Sequence, residues 1–426
     1  MKKFLPILSS ALFALTLGAC AAAQDTATFS NLPAPAQSRI SDAFGRDLRV
    51  PARWVRAKLS GSDSQPSNLF GFTVAVSGDT VVVASRYFGC LEGGAYVFVK
   101  PSTGWKDMTQ TAKLTGSDFG PCGGSGFDEV AISGDTIVAG PGPSGAATYV
   151  FIKPKRGWEN ATETARLTVS WNLYGLQSLA ISGDTVVVGY PNAIGNEVGA
   201  LAIFVKPAGG WKDMTQQTAT LTASDPGPGD QLGWAVAIDG NTVIGGAPYA
   251  TVNGIQGAGA VYAFVEPPAG WGDMTQTAKL TPNYSTGGLL GECVSLTKGV
   301  ALACANPATY VFVEPNGGWT DMTPTAAISS PSNQYGWSSA CISGNVVGIG
   351  SDDAPYYPLN YGAVFAFLKP LGGWQNTSSP NASYFGQPSG GSQMIGYSIA
   401  VDGATLVTGA PYFSNARGIG YLFARQ

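Results

Sequence analysis

The sequence predicts an all-β fold of short strands joined by tight turns, and three observations support this. Hydrophobic residues make up 44% of the chain and charged residues only 12%, while 58 glycines and 28 prolines separate runs rich in Val, Thr and aromatic residues. Such punctuation is typical of strands and turns. No long segment carries apolar residues at helical spacing. One hairpin-like segment also recurs along the chain.

The repeated segment reads VAVSGDTVVVAS from Val74, VAISGDTIVAGP from Val130 and AISGDTVVVGYP from Ala180. Its turn recurs seven times, at Gly78, Gly134, Gly183, Gly240, Lys298, Gly344 and Gly403. The period is therefore about 54 residues. Each unit holds four candidate strands, A to D, which in the first unit are TVAVS, TVVVAS, GAYVFVKP and TAKLT. A period near 50 with four strands predicts a seven-bladed β-propeller of four-stranded antiparallel blades.

Strand A alternates small and large side chains in every unit, so its two faces must differ. The small positions are Ala75, Ala131, Ala180, Ala237, Ser295, Cys341 and Ala400, and the large ones are Val76, Ile132, Ile181, Ile238, Leu296, Ile342 and Val401. Strand C adds one ring per unit, at Phe98, Phe151, Phe204, Phe264, Phe312, Phe367 and Phe423. These columns predict packing between neighbouring blades around an axis.

The two ends of the repeat region are predicted to pair. The seventh unit supplies a strand C in GIGYLFARQ, whereas AKLSGSD, Ala57 to Asp63, matches the strand D segment AKLTGSD of Ala112 to Asp118. We therefore expect the N-terminal strand to complete the last blade, which would leave no open edge between the two ends.

Short motifs that flank strands A and B resemble FG-GAP repeats, found in integrin α-type propellers and in a bacterial branch. Examples are Phe70-Gly71, Tyr174-Gly175, Ala247-Pro248 and Ala410-Pro411. The resemblance covers residues 53–426 and implies a seven-bladed propeller that serves as a binding or adhesion scaffold. Calcium-binding repeats of that family carry an acidic D-x-D-x-DG loop, which this chain lacks. The lone turn carboxylates Asp79, Asp135 and Asp184 are too few for a calcium site, and bonding to their own turn backbone is expected instead.

The N-terminus has the pattern of an export signal. Lys2 and Lys3 precede an apolar stretch from Phe4 to Leu17, which ends in LGAC, Leu17 to Cys20. This resembles a bacterial lipobox, which implies cleavage before Cys20 and lipidation of its thiol. The alternative is an ordinary secretory peptide cut after Ala19 or Ala23.

The sequence thus divides into a signal peptide, residues 1–19, a flexible tether, residues 20–52, and the propeller, residues 53–426. The expected location is the bacterial cell envelope, as an outer-membrane or surface lipoprotein, or secretion if the lipobox is not used.

Composition also limits the function classes. The net charge is −4 and no basic cluster is present, so nucleic acid is not an expected partner and contact with a membrane is expected only through the lipid. The absence of histidine excludes Ser-His and Cys-His nucleophile pairs and histidine metal sites. We expect no cofactor, no metal and a monomer.

Function is sought where the copies differ, in the connections between strands B and C. Their aromatic residues would surround one end of the propeller: Tyr87, Tyr190, Tyr249, Tyr356, Tyr357, Tyr361, Tyr412 and Phe413. Such rings suit contact with a protein or glycan ligand. The alternative is that they pack against their own Pro- and Gly-rich loops.

Tryptophans recur in the connection after strand C, at Trp105, Trp158, Trp211, Trp271, Trp319 and Trp374. Repetition in every unit favours a structural role, in which the ring caps the loop. A sugar-stacking platform is the alternative.

Two other functions compete with a binding module. The first is a glycosidase-like hydrolase that uses paired carboxylates, with candidates at Asp352, Asp353, Glu92, Glu197 and Asp230. No sialidase-type S-x-D-x-G-x-T-W box or nucleophile elbow is present in the sequence, so no catalytic residue is assigned. The second is a purely structural envelope protein.

Five cysteines remain after Cys20, which fits export. Cys90 and Cys122 are predicted on the same end of the propeller and can form a disulfide. Cys293 and Cys304 face each other across strands A and B, and the sequence leaves both a bridge and two buried thiols open. Cys341 fills a small-residue position and is predicted to be a buried, inert thiol.

Overall fold

The computed structural model describes residues 54–86, 93–120, 126–140, 147–170, 178–282, 287–329, 339–352, 361–386 and 393–425. These residues form seven separate sheets, each with four principal antiparallel strands. The innermost strands of consecutive blades contact one another, and that of the seventh blade contacts that of the first. The blades therefore close into a ring, and the predicted all-β, seven-bladed propeller is confirmed.

The strands of each blade are given from the innermost, A, to the outermost, D. Blade 1 has Phe70–Ser77, Thr80–Ser85, Gly94–Val99 and Ala112–Thr115; blade 2 has Glu129–Ser133, Thr136–Gly140, Thr148–Ile152 and Ala165–Leu167; blade 3 has Ser178–Ser182, Thr185–Tyr190, Ala200–Val205 and Ala219–Thr222; blade 4 has Val236–Asp239, Thr242–Ala247, Ala260–Val265 and Ala278–Leu280. Blade 5 has Val294–Thr297, Val300–Cys304, Ala308–Val313 and Ala326–Ser329; blade 6 has Ser339–Ser343, Val346–Ser351, Ala363–Leu368 and Ala382–Phe385; blade 7 has Ser398–Asp402, Thr405–Ala410, Ile419–Arg425 and Trp54–Ser60. Two-residue strands lie at Met108–Thr109, Ala161–Thr162 and Met274–Thr275, and a helical turn at Phe413–Ala416.

The ring is closed by the N-terminal strand, as predicted. Trp54–Ser60 pairs antiparallel with Ile419–Arg425, with Ala57 opposite Leu422 and Leu59 opposite Gly420. The side chains of Ala57 and Leu59 are completely buried. The outer strand of the last blade thus comes from the start of the propeller region.

The core consists of apolar layers between adjacent blades rather than one central cluster. Between blades 3 and 4, Ile203 and Leu221 pack with Ile238 and Phe264 of the next blade, and the small Ala180 lies against the same layer. The small side of one strand A thus faces the large side of the next, which explains the alternation in the sequence.

The strand C rings are buried in all blades but the last. Phe98, Phe151, Phe204, Phe264, Phe312 and Phe367 are at most 1% exposed. Burial of each ring contributes about 2–3 kcal/mol. Phe423 differs because it is only partly buried, and it contacts Tyr384 of blade 6 with the ring centroids 4.9 Å apart.

Candidate functional site

Antiparallel order places the B–C and D–A connections of every blade at one end of the propeller, here called the loop face. The A–B and C–D connections lie at the opposite end, the turn face. Two of the predicted aromatic residues are exposed on the loop face, with Tyr249 at 40% and Tyr412 at 39%. Tyr361 and Phe413 are half-buried. Tyr87, Tyr356 and Tyr357 lie outside the described residues.

Tyr190 offers no surface to a ligand. It ends strand B of blade 3 and is only 3% exposed, packed in the same apolar cluster as Ala193 and Phe204. Burial raises the pKa of its hydroxyl well above the ordinary range. For this residue the alternative expectation, packing of the ring within the propeller, describes the structure.

Side chains from blades 7, 1 and 2 meet at the loop-face ends of the inner strands. We call Phe72, Arg86, Asp128, Tyr397 and Tyr412 the axial cluster. The ring of Tyr397 lies 5.2 Å from that of Phe72 and 6.2 Å from that of Tyr412, between centroids. The Arg86 guanidinium lies 5.0 Å above the Phe72 ring, and its Nε is 3.1 Å from Asp128 Oδ1. Phe72, Arg86, Asp128 and Tyr397 belong to, or directly adjoin, a strand A or B, whereas Tyr412 directly precedes the helical turn Phe413–Ala416.

Burial sets the electrostatics of the axial cluster. It raises the pKa of Asp128 to about 6, although the Arg86 charge acts in the opposite direction. The neighbouring Glu129 has its pKa raised to about 8, first by burial and then by the charge of Asp128. Burial and the nearby Tyr412 raise the pKa of Tyr397 to about 12. The axial cluster therefore combines aromatic rings with the carboxyl group of Asp128, whose ionised form is destabilised by burial.

A second aromatic pair lies on the loop face of blade 4. Trp234 and Tyr249 pack edge to face with centroids 5.7 Å apart. Trp234 occupies the same position relative to its strand A as Phe72 and Tyr397 do in their blades. Rings from three blades thus lie at the same level of the loop face.

Among the carboxylates of the hydrolase hypothesis, Glu197 and Asp230 lie on adjacent segments, because the N–H of Gln231 donates a 3.1 Å hydrogen bond to the carbonyl oxygen of Glu197. Glu197 accepts a 2.9 Å hydrogen bond from Gln231 Nε2. Asp230 is 8% exposed and accepts a 2.7 Å bond from the N–H of Gly227. Asp352 lies near Tyr397 and affects its pKa. Glu92 and Asp353 lie outside the described residues.

The recurring tryptophans are buried. Trp105, Trp158, Trp211, Trp271, Trp319 and Trp374 are 3–8% exposed. A sugar cannot stack on a ring whose faces are covered by protein, so the geometry favours the structural role.

The turn carboxylates make contacts that differ from the predicted bonds to their own backbone. Asp79 lies 3.5 Å from Lys100 Nζ, Asp135 lies 3.1 Å from Lys153 Nζ, and Asp184 lies 2.8 Å from Lys206 Nζ. All three carboxylates are largely exposed. Within the described ranges, no group of three or more acidic or Cys side chains is placed to hold a metal ion.

One of the two candidate disulfides is present. Cys293 and Cys304 are bridged, with their Cα atoms 5.0 Å apart across strands A and B of blade 5. Cys341 is a free thiol, and burial raises its pKa to about 12, as expected for an inert thiol. Cys90, Cys122 and the lipidation candidate Cys20 lie outside the described residues.

The FG-GAP repeat family matches residues 54–98 and 215–264, which fall in blades 1 and 4 and the strands that precede them. The seven-bladed ring is consistent with this match. The chain is an FG-GAP repeat β-propeller. No curated protein matches it.

The FG-GAP signature has a physical explanation in this chain. A Cβ on Gly409, of Gly409-Ala410-Pro411, would overlap the carbonyl oxygen of Gly71, of Phe70-Gly71. The same contact joins Gly246 to Gly291, and it recurs between Gly189 and Gly233 and between Gly350 and Gly396. The FG of one blade therefore meets the GAP position of the preceding blade backbone to backbone, and a side chain would separate them.

In the described residues, no helix is long and apolar enough to cross a membrane.

Proposed function

We propose that this FG-GAP propeller is a binding module whose loop face contacts a protein or glycan ligand. The observation that carries the proposal is the axial cluster, in which exposed Tyr412 continues a row of rings through Tyr397 to Phe72. Aromatic residues with polar tips and a neighbouring arginine are the composition enriched at binding interfaces. The FG-GAP scaffold fits a binding or surface-interaction module.

The contrast between the two ends of the propeller supports the choice of face. On the turn face, short A–B turns repeat and the tryptophans are buried. On the loop face the connections differ from blade to blade, and Tyr249 and Tyr412 are exposed. Rigid strands that carry variable loops are the usual arrangement of a binding site on a repeat scaffold.

The experiment is a glycan-array and pull-down screen with residues 24–426. A discrete ligand that is lost or strongly weakened in Tyr412→Ala and Tyr249→Ala supports the proposal. The matched control is Leu371→Ala, because Leu371 is 87% exposed but lies in a C–D connection on the turn face. A ligand that binds both tyrosine variants as well as wild type and is lost in the Leu371 variant would place the binding surface elsewhere.

Catalysis is not part of the proposal. Glu129 has the raised pKa that a general acid requires, but the carboxylate whose charge acts on it, Asp128, is adjacent in the chain and is engaged by Arg86. Adjacent residues of extended backbone point to opposite sides, so this pair does not flank one bond of a substrate. Glycoside turnover that disappears in Glu129→Gln or Asp352→Asn would contradict this view.

We further propose that the protein is exported and anchored by a lipid on Cys20, as the LGAC motif indicates. Cys20→Ala should abolish labelling by a radioactive fatty acid and release the protein from the membrane fraction. Unlabelled wild-type protein would instead indicate an ordinary secretory peptide.

A further inference from the structure

The outer strand of six blades is covered along its free edge by the C–D connection of the next blade. The cover forms parallel bridges, which pair Leu59 with Met108, Leu114 with Ala161, Leu167 with Met214, Leu221 with Met274, Leu280 with Met322 and Ile328 with Thr377. The covering segments share the pattern Trp-x-Asp/Asn-Met/Ala/Thr-Thr/Ser, beginning at Trp105, Trp158, Trp211, Trp271, Trp319 and Trp374.

Each cover is fixed by the same side-chain hydrogen bond. The Asp or Asn of the pattern accepts from an outward-facing N–H of the outer strand, as Asp107 does from Lys58 at 2.8 Å and Asn160 from Lys113 at 2.8 Å. The remaining bonds run from Arg166 to Asp213, Thr220 to Asp273, Lys279 to Asp321 and Ala327 to Asn376. In each of these blades a carboxylate or amide oxygen thus accepts from a backbone N–H at the edge of the sheet, which would otherwise be unpaired.

The cover also buries the outer strand. Trp211 and Met214 lie in the same apolar cluster as Ala165 and Leu167 of the preceding blade. As a result Ala165 is 1% exposed and Leu167 is completely buried.

Blade 6 departs from this arrangement at its outer strand, Ala382–Phe385. Its neighbour, blade 7, takes strand D from Trp54–Ser60, so no C–D connection lies beside this edge in the described ranges. Ala382 and Ser383 are exposed, and Phe385 is 40% exposed. In blade 1, by contrast, Ala112 occupies the position of Ala382 and is completely buried. Ser383 corresponds to Lys113, and no Asp or Asn among the described residues accepts from its N–H.

We propose that the edge of Ala382–Phe385 binds an extended segment of another polypeptide with the pattern Trp-x-Asp/Asn-Met-Thr. The segment would add a parallel bridge to the strand, accept from the Ser383 N–H through its Asp or Asn, and cover Ala382 with its Met. A second copy of this chain is a poorer donor, because its own six segments of this type already cover its own blades.

The test uses a fluorescently labelled peptide that spans residues 209–216, GGWKDMTQ. The peptide is titrated with the protein of residues 24–426, and binding is measured by fluorescence anisotropy. The internal copies outcompete the peptide at the covered strands because they are tethered, so binding reports the open edge. We expect saturable binding with a dissociation constant in the micromolar range. The peptide with Asp213→Ala should bind with about tenfold lower affinity, because that change removes a charge-assisted hydrogen bond.

The protein variant is Ser383→Pro. It removes the backbone N–H that would donate to the Asp of the peptide, at a position where an edge strand tolerates proline. It should bind the peptide about tenfold more weakly, while Leu371→Ala binds it as wild type does. Equal affinity of both peptides for wild-type protein, or no saturation at about 1 mM peptide, would overturn the proposal without depending on the stability of any protein variant. Self-association that Ser383→Pro abolishes would overturn it in favour of a second copy.

Discussion

The backbone N–H of Gly78 donates a 2.6 Å hydrogen bond to Oδ2 of Asp402, which joins the first blade to the last. The same link recurs at other blade boundaries, where the hydroxyl of the residue before the turn accepts from the next turn: Ser77 from Gly134, Ser133 from Gly183, Ser182 from Gly240 and Ser343 from Gly403. Asp239 accepts in this way from Lys298 at 2.6 Å. These bonds form a belt around the axis at the turn face.

The belt predicts a graded effect of substitutions at Asp402. Asp402→Ala removes the acceptor at the boundary where the ring closes and should lower the free energy of unfolding by about 1–2 kcal/mol. Asp402→Ser restores the acceptor used at four other boundaries and should recover most of the loss. The measurement is urea unfolding, and an Asp402→Ala variant as stable as wild type would contradict a role for the belt in closure.

A second inter-blade link joins a tyrosine, an acid and a base. Asp63 accepts a 2.9 Å bond from the Tyr96 hydroxyl and lies 2.6 Å from Lys113 Nζ, which also sits 5.3 Å above the Tyr96 ring. Burial acts to raise the pKa of Asp63, but the hydrogen bonds from Lys113 and Tyr96 prevail and hold it below its ordinary value. Similar groups form around Asp118 and Asp225.

A lowered carboxyl pKa in the folded state gives a stability contribution that is present above the ordinary pKa and is lost as the pH falls through the lowered one. We therefore expect Asp63→Asn to melt below wild type at pH 7 and to approach it below pH 3.8. The control is Asp79→Asn, which removes an ion pair whose carboxylate side is 72% exposed and should change little. A constant gap across the pH range would show that Asp63 acts through packing alone.

The fold could be predicted from the sequence because the packing of each blade against the next is repeated seven times. Phe98 and its counterparts, and the small residues that face them, recur in register, so a single pattern specified blade count and closure. Phe423 departs from its column because its neighbour in blade 6 is Tyr384, on the outer strand that no connection covers in the described ranges.

The axial cluster could not be predicted in the same way. Phe72 and Arg86 belong to blade 1 and Asp128 to blade 2, and the three occupy three different positions of the repeat, so no single column connects them. A signal did exist at Glu129, a charged residue at a strand A position that holds Ser178 in blade 3 and Ser398 in blade 7. The sequence left both exposure and packing open for Tyr190, because a tyrosine at the end of strand B turns inward or outward according to the backbone that follows, which composition does not specify.

Glu129 gives a pH prediction of opposite sign. Its folded pKa is raised from 4.5 to about 8, so its contribution to stability is fully present below pH 4.5 and is lost as the pH rises towards 8. Glu129→Gln mimics the protonated form and should therefore melt above wild type at pH 8–9 and level with it near pH 4. Thermal melts of both proteins across this range decide the matter, with Glu266→Gln on the turn face as the control. A lower melting temperature for Glu129→Gln at pH 9 would contradict the burial of a charge.

We also predict that stability is independent of calcium, because the turns carry single carboxylates that pair with Lys100, Lys153 and Lys206. Melting temperatures in EDTA and in millimolar calcium should agree within error. A reversible shift of several degrees on adding calcium would show that a site exists.

The last prediction concerns the N-terminal strand. Leu59 and Ala57 are completely buried, and Trp54–Ser60 pairs along its length with Ile419–Arg425. Removing residues through Ser60 deletes that ladder, exposes the edge of Ile419–Arg425 and loses about 2 kcal/mol of burial at Leu59 alone. Removing residues 21–50 leaves the strand in place and should hardly change stability. We expect the longer truncation to melt far below the shorter one and to aggregate through the exposed edge, which light scattering during the melt would report. If both truncations melt alike, Trp54–Ser60 does not hold the ring closed, and the seventh blade must be stable with three strands.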